Sequence, residues 1–300
     1  MEIIKPGTQI PFLSYRRKAF ILSGILSLAV LILLFAKGPK VGVDFAGGTM
    51  VHLKFHRDVT IGEIRGALAR SVFGDSVVQD FGGRESGEFL IRLETIAGQL
   101  GTVGREVRRS LSEQFGSEQF EVRRIESVGP KVGKDLRRRG ILSVIVATVM
   151  MGAYIWFRFE LRFGLGAILA LFHDVLITIG ALVLANYEFD LPIVASLLTI
   201  AGYSVNDTVV VCDRIRENMR KHRREGLEKI INMSVNETLG RTIITTATSL
   251  LVLIALFVLG GGVIRPFAFA LLIGFVSGVY STIFIATPVI LLLEKGRRKS

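Results

Sequence analysis

The stretch AGYSVNDTVVVCDRIRE, Ala201–Glu217, carries polar residues into an apolar run. Asn206 and Asp207 stand side by side within this run, and the residues VVVC at 209–212 separate them from the basic residues that follow. A carboxylate in a hydrocarbon layer costs about 2.5–3.5 kcal/mol on insertion scales, so such a residue is expected to face other helices and to have a function. The first question is therefore whether the chain contains further membrane helices.

Composition and the length of the apolar runs indicate a polytopic α-helical membrane protein. Half of the 300 residues are apolar, and 32 glycines come in addition, which is more than soluble domains contain. A transmembrane helix needs roughly 20 apolar residues. Six runs approach or exceed this length, at 19–36, 140–157, 163–185, 192–212, 243–260 and 267–292.

The distribution of Lys and Arg predicts the orientation. Cytoplasmic loops are enriched in both residues, and the segment 213–241 alone holds eight of them. We therefore expect a cytoplasmic N-terminus at 1–18, a basic cytoplasmic loop at 213–241 and a cytoplasmic tail at 293–300. The arginines at 137–139 disagree, because they would lie outside, but long translocated segments largely escape this rule.

A polar segment of about 100 residues, 38–137, lies between the first and second runs and is large enough to form a domain. Strand-like alternation and helical spacing follow one another in the order βαββαβ, with Thr60 as a cap of the first helix. This order predicts an extracytoplasmic α+β domain of the ferredoxin-like type.

Polar residues on the fifth predicted helix offer Asp207 a partner. Arg241 stands at the start of this helix, where it and Asp207 would form a switchable ion pair. A hydroxyl stripe follows at spacings of three and four residues, which puts its members on one helix face: Thr242, Thr245, Thr246 and Ser249. The stripe would line a hydrated proton path, or else it is ordinary Ser/Thr packing between membrane helices. The alternative for Asp207 is a helix-end acid that reaches the membrane surface beside Arg214.

Two further features lie in the predicted membrane helices. His173 and Asp174 stand near the middle of the third helix, where they either take part in proton transfer or hold the bundle together by hydrogen bonds. A stripe of small residues on the sixth helix predicts a close contact between helices, and it consists of Gly274, Ser277, Gly278 and Ser281.

Several classes of function are excluded by what the sequence lacks. It contains no HExxH, GxSxG or Walker A motif, so we expect no enzymatic activity and no use of ATP. The single cysteine, Cys212, allows neither a disulfide framework nor a cysteine-based metal site, and we expect no metal and no cofactor. The net charge of +11 is explained by the cytoplasmic loops, and no basic face interleaved with aromatic residues indicates nucleic-acid binding.

Five stretches of the chain resemble the SecD/SecF family of bacterial protein-export membrane proteins, which belongs to the resistance–nodulation–division superfamily. They are VGVDFAGGT at 41–49, ESVGPKVGKDLRRRGI at 126–141, FHDVLITIG at 172–180, GYSVNDTVVVCDRIRE at 202–217 and NETLGRTIITT at 236–246. The resemblance covers nearly the whole chain in order. Asp44, Gly47 and Gly48 belong to the first stretch, where the glycines predict a tight turn.

The resemblance implies a partner and a source of energy. It implies that the chain pairs with a SecD subunit in the bacterial cytoplasmic membrane and works with the SecYEG channel and the SecA motor. The proton motive force would then help to complete preprotein export. The family's membrane acid falls on Asp207 and its basic partner on Arg241, whereas the other acid of the proton relay belongs to SecD. Two alternatives stay open: a passive subunit that stabilises the translocon, and a half-transporter for small molecules or lipids.

Overall fold

The computed structural model describes residues 9–69, 76–81, 87–93 and 102–297. The chain divides into two compact units. The helical unit comprises residues 1–39, 142–187 and 192–300, and the α/β unit comprises residues 40–141 and 188–191.

Helices and strands are numbered along the chain. The helices are α1 (Arg16–Ala36), α2 (Val43–Ala46), α3 (Ile61–Ala69), α4 (Val103–Phe115), α5 (Pro130–Arg158), α6 (Leu161–Leu184), α7 (Leu191–Lys221), α8 (Leu227–Leu259), α9 (Gly261–Ser281) and α10 (Thr287–Arg297). The strands are β1 (Lys40–Val41), β2 (Gly48–Phe55), β3 (Val77–Asp80), β4 (Glu88–Leu93), β5 (Phe120–Val128) and β6 (Glu188–Phe189). A 3₁₀ helix at Phe12–Tyr15 precedes α1, and a π-helical segment at Thr282–Ala286 joins α9 to α10.

Six helical stretches of the described residues are long and apolar enough to cross a membrane, which confirms the predicted number. They are Phe12–Ala36, Pro130–Arg158, Leu161–Leu184, Leu191–Lys221, Leu227–Leu259 and Ile264–Glu294. The second stretch begins ten residues earlier than predicted, at Pro130 instead of 140. Proline suits this first helical position, because its fixed backbone angle is helical and it lacks an N–H that would go unpaired.

The predicted loop at 213–241 is wrong over most of its length. Helix α7 continues to Lys221 and α8 begins at Leu227, so only the five residues 222–226 connect them. Ion pairs stabilise both helix ends in polar surroundings: Arg214 lies 2.6 Å from Glu217 on its own helix and 2.7 Å from Glu237 on α8. Charge alone predicts a cytoplasmic segment, but it does not distinguish a loop from a paired helical extension.

Helix α6 and the stretch Ile264–Glu294 are the two most enclosed of the six membrane stretches. The small residues of α6 allow close contact with neighbouring helices. A methyl group at Gly166 would lie 2.9 Å from the carbonyl oxygen of Ala286 in the π-helical segment. The predicted small-residue contact is also present, since a methyl group at Gly278 of α9 would lie 3.2 Å from the Cβ of Ser204 on α7. Small residues thus permit close helix contacts both at the start of α6 and between α7 and α9.

The α/β unit contains a four-stranded antiparallel sheet in the order β3–β4–β2–β5. The elements follow one another as β2, α3, β3, β4, α4 and β5, the order that the sequence predicts. Strand β4 alternates between buried and half-buried residues. Its buried face and that of β2 form one core with both helices: Val51, Leu53, Phe89, Ile91, Ile64, Leu68, Val107 and Leu111.

The start of α3 has the capping arrangement that Thr60 predicts. The Thr60 hydroxyl accepts the Glu63 N–H at 3.3 Å, and the Glu63 carboxylate accepts both the N–H and the hydroxyl of Thr60 at 2.8 Å. These hydrogen bonds, first of all the one from the Thr60 backbone, lower the pKa of Glu63. The cap fixes where the first helix of the α/β unit begins.

A short parallel ribbon joins a distant segment to the α/β unit. Strand β1 pairs with β6, which the sequence places after α6. Arg92 of β4 forms an ion pair with Glu188 of β6 and donates to the carbonyl of Val41 at 3.3 Å. Asp44 accepts the backbone N–H of Leu191, the first residue of α7, at 3.0 Å. Residues 188–191 therefore complete the unit.

The family motif around Asp44 forms a turn that only glycine accommodates. Gly47 has φ 79° and ψ 163°, a region that other residues almost never occupy. A methyl group there would lie 2.9 Å from the Cα of Pro130. At Gly48, with φ 130°, it would lie 2.8 Å from the carbonyl oxygen of Leu93. The predicted tight turn is thus confirmed.

Gly47→Ala is expected to destabilise the α/β unit by about 1–3 kcal/mol, because alanine is strained in this backbone conformation. Gly66→Ala is the matched control: Gly66 lies within α3 with open space where a methyl group would stand, so alanine there is expected to stabilise by about 0.5–1 kcal/mol. Urea-dependent proteolysis of the full chain measures both effects. Equal stabilities of the two variants would contradict the role of the turn.

Candidate functional site

Asp207 lies on α7 inside the helical unit. Its side chain is buried, with 5% of the residue exposed. No hydrogen bond joins its carboxylate to any residue that the structure describes. Buried carboxylates are normally paired or hydrogen-bonded, so Asp207 differs from a residue whose role is to hold helices together.

Arg241 of α8 is close enough to Asp207 to act on it electrostatically. The two side chains form no direct ion pair in the described part of the chain, and Arg241 is exposed on the helical unit. The predicted switchable pair therefore stays a prediction, with its two members in neighbouring positions. Asn206, beside Asp207 on α7, is exposed.

The hydroxyl stripe of α8 contains buried and half-buried residues in alternation. Thr242 and Thr246 are buried, whereas Thr245 and Ser249 are half-buried. The hydroxyls of Thr245 and Ser249 donate to backbone carbonyls one turn earlier, at 3.0 Å each. These contacts leave the hydroxyl oxygens available as acceptors.

Tyr203 of α7 is a member of this site that was not predicted as one, although it lies within the stretch Ala201–Glu217. Its hydroxyl lies 3.5 Å from that of Thr246 and 3.4 Å from that of Ser249, long for hydrogen bonds between hydroxyls. Its ring stacks on Phe275 of α9 with the centroids 3.7 Å apart. Tyr203 and Asp207 are four residues apart and therefore lie on one helix face. This spacing could have identified Tyr203 from the sequence.

A small cavity lies one turn beyond Asp207. Its volume is about 10 Å³, near the lower limit for one water molecule. Threonines of two helical segments line it, namely Thr238 and Thr242 of α8 and Thr282 of the π-helical segment. Thr282 also shares a hydrogen bond of 2.9 Å with Thr208, the neighbour of Asp207. Threonine hydroxyls thus extend from the hydroxyl stripe of α8, through the cavity, to the helical turn that carries Asp207.

The carboxylate of Asp174 on α6, unlike that of Asp207, accepts several hydrogen bonds. It is fully buried, and three serine hydroxyls donate to its carboxylate. The donors are Ser204 of α7 at 2.7 Å, and Ser277 and Ser281 of α9 at 2.6 and 2.7 Å. One acceptor therefore joins three helices, the arrangement expected of a residue that holds the bundle. Spacing alone predicts only a packing role for the two α9 serines.

His173 is buried beside this network. Its Nδ1 lies 3.5 Å from the Asp174 carboxylate, and its ring packs against Tyr280 with the centroids 5.9 Å apart. Its Nε2 has no hydrogen-bond partner among the described residues. A part in proton transfer for this pair stays a prediction. Asp44, Gly47 and Gly48 belong to the α/β unit and are not part of this site.

Ser281→Ala is expected to lower the free energy of unfolding of the helical unit by about 1 kcal/mol, because a buried acceptor loses one donor. Thr199→Ala is the control, since the Thr199 hydroxyl bonds to the Ala195 carbonyl of its own helix. Unfolding in mixed detergent micelles measures the difference. If both variants lose the same stability, the serine network does not hold the bundle.

Comparison with known proteins identifies the family. Residues 107–296 match the family described as protein export membrane protein SecD/SecF, C-terminal. The protein translocase subunit SecF of Calditerrivibrio nitroreducens is 41% identical, with 100% of this chain and 99% of that protein covered. The SecF subunit of Magnetococcus marinus is 46% identical, covering 100% and 96%, and that of Escherichia coli O157:H7 is 39% identical, covering 95% and 88%.

Two solved structures have the same architecture over this chain. The crystal structure of SecDF from Thermus thermophilus, a translocon-associated membrane protein, has a TM-score of 0.85 and 35% identity. It covers 96% of this chain, which spans only 39% of the SecDF chain. A SecDF structure in the super-membrane-facing form has a TM-score of 0.72 and 34% identity, covering 100% of this chain and 40% of that one. The chain belongs to the SecD/SecF family of protein export membrane proteins.

Proposed function

We propose that this chain is the SecF subunit of a protein-export complex and that the proton motive force acts on it through Asp207. The observation that carries the proposal is the buried carboxylate of Asp207, which lacks a hydrogen-bond partner among the described residues yet lies near Arg241. Such a group can gain and lose a proton without breaking a network that the helices need. The fully paired Asp174 cannot do so at equal cost.

Protonation of Asp207 changes its attraction to Arg241. The charged carboxylate attracts the guanidinium, and the protonated form releases it. A membrane potential of about 100 mV supplies about 2.3 kcal/mol for each charge moved, which biases a two-state equilibrium about 50-fold. The hydroxyls of Thr242, Thr246 and Tyr203 and the small cavity support a hydrated route for the proton.

A SecD subunit is the proposed partner of the helical unit. Arg241 and Asn206 are both exposed, although both lie in helices long enough to cross a membrane. Polar groups in that position need cover from another protein or from a hydrated cavity. The similar SecDF chains are more than twice as long as this chain, which supports a second polypeptide here. The other acid of the proton relay would belong to SecD.

The proposed setting is the bacterial cytoplasmic membrane, with both termini in the cytoplasm. The α/β unit then lies outside it, and its strand order supports a ferredoxin-like arrangement. There the chain would assist the SecYEG channel after the steps driven by SecA, and act on the translocating preprotein. We propose no enzymatic reaction and no cofactor.

Asp207→Asn is expected to abolish gradient-dependent export while assembly with SecD survives, because asparagine keeps the shape of the side chain and cannot change its charge. The measurement is preprotein export in vesicles that contain this chain, SecD and the SecYEG channel, with and without a proton gradient. Asp213→Asn, the same change at an exposed position of α7, is the control and is expected to leave export unchanged.

If the Asp207→Asn complex exports at the wild-type level under a gradient, the relay is refuted and a passive role as an assembly subunit is favoured. Loss of SecD from the purified complex would instead indicate that Asp207 is structural.

Arg241→Met is expected to cause the same loss, because methionine retains an unbranched apolar chain and removes the charge that responds to Asp207. Arg223→Met in the turn after α7 removes one charge from an exposed site and is the matched control. If the Arg241 variant exports at the wild-type level, Arg241 has no part in the relay and serves only to orient the helix in the membrane. The two variants are compared in the same vesicle assay.

A further inference from the structure

A basic cleft lies where α5 and α7 reach their polar ends in the helical unit. Its volume is about 530 Å³. Four cationic side chains and two carboxylates line it, namely Arg158, Arg216, Arg220, Lys221, Asp213 and Glu217. None of these residues belongs to the site around Asp207.

Two guanidinium groups of this cleft converge on one aromatic ring. Arg158 lies 5.1 Å and Arg216 lies 6.0 Å from the centre of the Phe159 ring. Neither forms an ion pair with a residue that the structure describes. Both guanidinium groups thus lie near one ring, and an anion between them would offset the repulsion of the two like charges. The carboxylate of Glu217 is already shared by Arg214 and Lys221, at 2.6 and 2.5 Å.

The surface next to the cleft is aromatic and exposed. Tyr154, Trp156 and Phe157 precede Arg158 on α5 and are 56%, 56% and 93% exposed. Exposed tryptophan and tyrosine at the end of a membrane helix are typical of the boundary between lipid tails and headgroups. A ligand that suits the whole surface therefore has an anionic head and an apolar body.

We propose that this cleft binds the headgroup of an anionic phospholipid, with the phosphodiester between Arg158 and Arg216 and the acyl chains along Trp156 and Phe157. Guanidinium groups match the geometry of phosphate oxygens. The carboxylates of Asp213 and Glu217 favour a singly charged diester over a more highly charged free phosphate.

The single tryptophan of the chain, Trp156, is a probe beside the cleft. The full chain is reconstituted in phosphatidylcholine vesicles with a small, variable fraction of phosphatidylglycerol whose acyl chains are brominated near the headgroup. We expect the fluorescence of Trp156 to be quenched at a several-fold lower fraction of this lipid than of brominated phosphatidylcholine. Equal quenching by the two lipids would overturn the proposal.

Substitutions distinguish a defined lipid site from a general electrostatic attraction of basic residues to an anionic membrane surface. Arg158→Gln and Arg216→Gln are each expected to reduce the preference about fivefold, since one basic residue near an anionic surface contributes about 1 kcal/mol. Arg224→Gln removes the same charge from the turn after α7, outside the cleft, and is expected to change little. An equal effect of all three would refute a defined site.

Two further measurements complete the test. Circular dichroism reports whether the Arg216 variant folds. If it does not, Arg220→Gln, at another position of the cleft lining, takes its place and is expected to reduce the lipid preference in the same way. Excess inorganic phosphate is expected to leave the lipid preference intact. If phosphate removes the preference, the cleft binds free anions and the lipid proposal fails.

Discussion

The hydrogen bonds around Asp174 determine how the helical unit is arranged. A carboxylate within a membrane needs donors, and here they come from two other helices through Ser204, Ser277 and Ser281. Satisfying this acceptor fixes α6, α7 and α9 against one another. Ser204 stands one turn before Asp207 on α7, so the same contacts position the second carboxylate.

Asp174 and Asp207 both place a carboxylate within a membrane helix, but the surroundings of the two side chains differ. Asp174 is stable because its oxygens are occupied, and a change in its charge would disturb three helices at once. Asp207 has no comparable partner among the described residues, so its charge can change with less disturbance of the packing. The bond between Thr208 and Thr282 holds the backbone beside Asp207 against the π-helical segment. π-Helical turns occur often at functional sites, and here one adjoins the acid.

Much of this architecture could be predicted from the residues alone. Apolar length predicts the six membrane helices, and alternation with helical spacing predicts the succession of strands and helices in the α/β unit. The cost of a carboxylate in lipid singles out Asp207 by its position within an apolar run. These predictions depend on one element at a time.

What could not be predicted depends on which helices meet. The role of Ser277 and Ser281 follows from the position of α6 against α9, and a single sequence does not state that pairing. Tyr203 shares a face with Asp207, but its contact with α8 requires the same knowledge. The segment 213–241 is rich in charged residues, as a cytoplasmic loop would be. A count of charges does not show that Arg214 of α7 pairs with Glu237 of α8, so the helical structure of this segment was not predicted.

The ribbon of β1 and β6 makes the α/β unit discontinuous along the chain, and this bears on how the protein is made. Residues 40–141 leave the ribosome first, but Glu188 and Phe189 follow only after the two helices α5 and α6 have been synthesised. Until then β1 lacks the strand it pairs with, and Arg92 lacks its acidic partner on β6. The unit can therefore mature only once α6 has been made, which couples folding of the α/β unit to the synthesis and insertion of a membrane helix. A fragment cut after residue 141 would omit β6, the strand that pairs with β1.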